Sequence, residues 1–103
     1  MAGIDDRERE WWTWWRAEGE EHVTRLLREQ WNPLGDVPND EYASYATRIG
    51  GLLREGVSED ELTAFLDDAR KGAMGLPGDR DGDRRVASAV RGWYAQARPN
   101  LEP

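Results

Sequence analysis

Cysteine is absent from the 103 residues, which removes disulfides, thiolate metal sites and cysteine nucleophiles together. Histidine occurs once, at His22, and lysine once, at Lys71. No apolar run approaches the ~20 residues of a membrane span, and no basic-then-apolar leader opens the chain. The sequence therefore predicts a soluble cytoplasmic protein with no membrane partner. Phosphate-binding glycine loops are missing too: Gly50-Gly51 lies inside a helical pattern, with no Gly-Lys-Ser/Thr after it. Ser44, Ser58 and Ser88 lack the surroundings of a nucleophile elbow. No catalytic residue, cofactor or metal is assigned, and the chain reads as a non-enzyme.

What is abundant is negative charge. Acidic residues number 21 against 14 basic ones, a net −7, which opposes nucleic acid and anionic lipid as partners. The excess is uneven: residues 1–31 carry eight acidic and five basic groups, whereas residues 79–103 carry four and five. The length suits one domain, residues 1–103, that buries roughly two-thirds of its unfolded surface.

Periodicity predicts an all-α bundle of four helices, with residues 1–4 and 99–103 frayed. The first and longest runs from about Asp5 to Trp31. At about 100° per residue Trp11, Trp15, His22 and Leu26 share a narrow arc, widened by Trp12, Val23 and Leu27 and flanked by Trp14. Gly19 interrupts this segment and allows a break or bend. After Trp31-Asn32-Pro33-Leu34-Gly35, a second helix carries Tyr42, Tyr45, Ala46, Ile49, Leu52 and Leu53 on one face and ends near Gly56. Gly50, beside that stripe, permits close approach of another helix. The third helix has the clearest start: Ser58 and Glu61 match a capping box, with Val57 and Leu62 as its hydrophobic staple. Arg70 and Lys71 close it, where they complement the helix dipole. The fourth is expected over about Asp83 to Arg98, with Asp83 as its N-cap and Val86, Ala89, Val90, Trp93, Tyr94 and Ala97 as its stripe. No segment alternates with period two.

Three clusters invite functional readings. Glu18 lies one turn before His22, but two neighbouring ligands do not complete a metal shell. A half-buried histidine on the tryptophan face, paired locally with a carboxylate, accounts for the pair. Asp79, Asp81 and Asp83 alternate around Gly82, yet a calcium loop would place its glycine after the third aspartate and a glutamate where Val90 stands. Turn formation explains them. The run Trp11-Trp12-Thr13-Trp14-Trp15 is the most unusual feature. Part of it belongs in the core, but four indoles in five residues subtend an arc that a small bundle is not expected to cover. The uncovered part reads as a protein interface.

From Trp31 onward Trp31-Asn32-Pro33-Leu34-Gly35, Asp40-Glu41-Tyr42, Ser44-Tyr45-Ala46, the Ile49-to-Leu53 stretch, Glu61-Leu62 and Met74-Gly75-Leu76 form a distinctive series. Over about residues 24–95 the chain resembles a family of small, uncharacterised bacterial helical proteins. The family's mark is a Trp-[Asn/Asp]-Pro-[Ile/Leu]-Gly turn followed by an acidic-tyrosine segment. The resemblance implies a compact helical domain and carries no activity with it. The tryptophan-rich opening is an elaboration on the shared part.

These features lead to one expected function and one alternative. The first is a non-catalytic acidic interaction module, of the immunity or inhibitor type, that masks a basic protein partner and self-associates as a homodimer through Trp11, Trp12, Trp14 and Trp15. The alternative is a small ligand-binding or enzymatic domain with a pocket built from Asn32, Asp40, Tyr42 and Tyr45 beside the Trp31–Gly35 turn.

Overall fold

A computed structural model describes residues 6–31, 39–73 and 75–98, apart from the side chains of residues 39, 40 and 73. Four helices pack into one bundle, and no strand occurs among the described residues. The first helix, α1, opens as Asp6–Trp14, widens into a π-turn at Trp15–Gly19, resumes over Glu20–Leu26 and closes in a second π-turn at Leu27–Trp31. Helix α2 spans Asn39–Arg54, α3 spans Glu59–Asp68 and runs into a π-turn at Ala69–Ala73, and α4 spans Arg80–Ala97. No helix among the described residues is long and apolar enough to cross a membrane.

The π-turns decide which face of α1 is buried. Each holds one residue more than an α-turn. Every later residue therefore takes the angular place its predecessor would hold in an unbroken helix. Beyond the first π-turn, Val23 and Leu27 follow Trp15 on the middle of the core face, and His22 swings to the side of Trp14. The second π-turn brings Trp31 back under Trp11. Burial follows this pattern: Trp15, Val23 and Leu27 are wholly enclosed, and Trp11 and Trp31 nearly so. Gly19 does not break the helix. It lies under Trp15, where an added methyl would collide with the indole.

Helix α2 runs antiparallel to α1. Arg54 pairs with Glu8 at 3.4 Å, and Thr47 Oγ1 donates to Glu20 at 2.9 Å. Between them Gly50 faces Trp15, and a Cβ there would stand 2.5 Å from Cε2 of the ring. The expected close approach at Gly50 is thus observed, with an indole rather than a helix backbone filling the space. Gly51, one residue on, faces open space.

Helix α3 begins as its sequence predicts. Ser58 Oγ accepts the Glu61 N–H, and the Glu61 carboxylate accepts the Ser58 N–H, both at 3.0 Å. Gly56 precedes the cap at φ 82°, in the left-handed region that suits glycine. Helix α4 returns along α3: Arg84 Nη1 reaches Glu59 at 3.0 Å and Asp60 at 2.9 Å, and Arg91 Nε donates to the Val57 carbonyl. Asp60 first, and then Glu59, raise the Arg84 pKa above its ordinary value.

One expectation about the α3–α4 corner is corrected. Helix α4 starts at Arg80 because Asp79, not Asp83, is the N-cap, its Oδ1 accepting the Gly82 N–H at 3.1 Å. Asp83, released from that duty, is fully buried one turn into the helix. Arg70, at the helix end as its sequence position predicts, turns inward and meets it: Nη2 lies 2.8 Å and Nε 3.3 Å from Oδ1 of Asp83. Trp31 Nε1 donates to the same oxygen at 2.8 Å, and the Arg70 guanidinium lies 5.6 Å from the Trp31 ring centroid. One charge pair thus ties the end of α1 to α3 and α4.

Candidate functional site

Of the four clustered tryptophans, the structure places two in the chain's own core. Trp11 and Trp15 stack at 5.4 Å with planes 5° apart, and Trp11 Nε1 donates to the Tyr94 hydroxyl at 3.0 Å. Their rings are covered by α2 and α4, so they offer no free surface for a partner or a second copy. The expected four-residue interface is corrected accordingly: only Trp12 and Trp14 stay half-exposed.

Trp14 belongs to a column of rings along the α1–α4 seam. Trp93 of α4 stacks on Trp14 at 6.0 Å with planes 13° apart, and on His22 at 4.5 Å with planes 7° apart. Trp14 and His22 are eight positions apart, and both reach Trp93 because the π-turn between them sets them on the same side of α1. His22 is half-buried, as expected, but its partner is an indole rather than a carboxylate.

The column is the wall of an open groove of about 400 Å³. Glu18 and Glu21 stand on its α1 rim with Ala17, Ala97 closes the α4 side, and Arg25 marks one end. Arg25 is held loosely by Glu21 at 3.7 Å, both largely exposed. Glu18 has no ion pair or hydrogen bond among the described residues, so its carboxylate stands open between Trp14 and His22. The volume lies in the range of small-ligand sites.

The alternative pocket does not form from its tyrosines. Tyr42 is wholly buried and Tyr45 nearly so; both pack edge-on against Trp31, at 6.4 and 5.9 Å. They serve the core, which corrects their assignment to an open concavity. Asn32 and the side chain of Asp40 lie outside the described residues. Asp79 caps α4 and Asp83 is consumed by Arg70 and Trp31, which accounts for two of the three loop aspartates without a cation.

Trp93 is the site residue that periodicity placed on the α4 stripe without a functional role. It packs against the core as that stripe predicts, and part of it stays exposed along the groove. The signal for its role lay in α1, in the histidine and tryptophan that a one-residue phase shift brings into line. Among known proteins, no family model, curated protein or solved structure matches the chain.

Proposed function

We propose that this chain is a non-catalytic acidic interaction module, of the immunity or inhibitor kind, whose α1–α4 face masks a basic protein partner. The observation that carries the reading is the half-exposed Trp14–Trp93–His22 column beside the open Glu18 carboxylate. A net charge of −7 supports it, because complementary fields steer basic partners and the attraction is screened by salt. Trp14 and Trp93 supply the large, semi-rigid apolar contact on which interface energy concentrates. Self-association through the tryptophan-rich first helix belongs to the same reading, with Trp12 and Trp14 as its half-exposed rings, since Trp11 and Trp15 are enclosed.

The test is affinity capture from the native host at low and high salt, with the wild type and a Trp14→Ala/Trp93→Ala variant that circular dichroism shows to be folded. The expected result is one identified basic protein, retained at low salt, released at high salt and lost with the variant. Capture that ignores both salt and the variant refutes the reading. Light scattering of the free chain separates the homodimer: a mass that falls on the double substitution identifies this face as the contact between copies.

A further inference from the structure

We draw no further inference here: the strongest candidate, the solvent face of α4, where exposed Ser88, Gly92 and Ala95 form a bare stripe with open space around Gly92, is an unpartnered row of small residues, and nothing in the structure shows what covers it.

Discussion

Trp31 donates its indole N–H to Asp83, a buried carboxylate 52 residues away, at 2.8 Å. The bond joins the last residue of the long first helix to the first turn of the fourth, and Arg70 from α3 completes it on the same oxygen. The meeting of an indole, a guanidinium and a carboxylate fixes where three helices end or begin. Removing Asp83, the acceptor of both, leaves Trp31 Nε1 and the Arg70 guanidinium without this partner, which costs more than the pair contributes.

Replacing Asp83 by alanine is accordingly expected to cost about 3–5 kcal/mol, because the Arg70 guanidinium stays buried and uncompensated. Trp31→Ala should cost about 3–5 kcal/mol through lost volume as well as the lost donor. Urea unfolding measures both. An Asp83→Leu/Arg70→Met chain should recover most of the loss from Asp83→Ala, since well-packed apolar groups often replace a buried ion pair at little cost.

The two neighbouring glycines of α2 should respond with opposite signs. Gly50→Ala drives a methyl into Trp15 and is expected to destabilise by about 1–3 kcal/mol, the cost of overpacking. Gly51→Ala meets open space and should stabilise by about 0.5–1 kcal/mol through helix propensity. Thermal melts of the two single variants decide it; equal effects would mean that Trp15 does not seat against Gly50.

Trp15→Ala is expected to cost about 3–5 kcal/mol and to lower the melting temperature sharply. Trp14→Ala, whose ring is half-exposed, should cost markedly less. The reverse order in denaturant midpoints would place the buried and open halves of the cluster the other way round.

The cap of α3 gives a pH dependence. The Glu61 carboxyl titrates below its ordinary 4.5 because it accepts the Ser58 backbone N–H and, secondarily, hydrogen-bonds the Ser58 side chain. A depressed folded value stabilises the fold above that ordinary value, and the contribution disappears as pH falls through the folded one. The melting-temperature gap between wild type and Glu61→Gln should therefore be widest near neutrality and narrow in acid. Ser58→Ala should cost about 0.5–2 kcal/mol at neutral pH.

Helix number, the Ser58 cap and the buried faces of α2 and α3 were legible because each is a local pattern. Ser58 and Glu61 carry their geometry in their spacing, and Tyr42, Tyr45, Ala46, Ile49 and Leu53 follow one helical arc into the core. His22 was placed one position off because a fixed 100° step does not register the extra residue in a π-turn. Asp83 was misread for another reason, and the inward turn of Arg70 was not foreseen. Helix-dipole and capping rules describe a helix alone and do not register the pairing of two helices. The groove wall was visible only as separate facts, two tryptophans and one histidine, until α4 brought Trp93 between Trp14 and His22.

A π-turn is in effect a one-residue insertion held inside a helix. Deleting Ala17 should close the turn at Trp15–Gly19 into ordinary α-helix while leaving Trp11, Trp15, Val23 and Leu27 in register with the core. The shortened chain should keep its fold and lose the lip that carries Glu18. Such a deletion would separate what the long helix does as a scaffold from what it does as a surface.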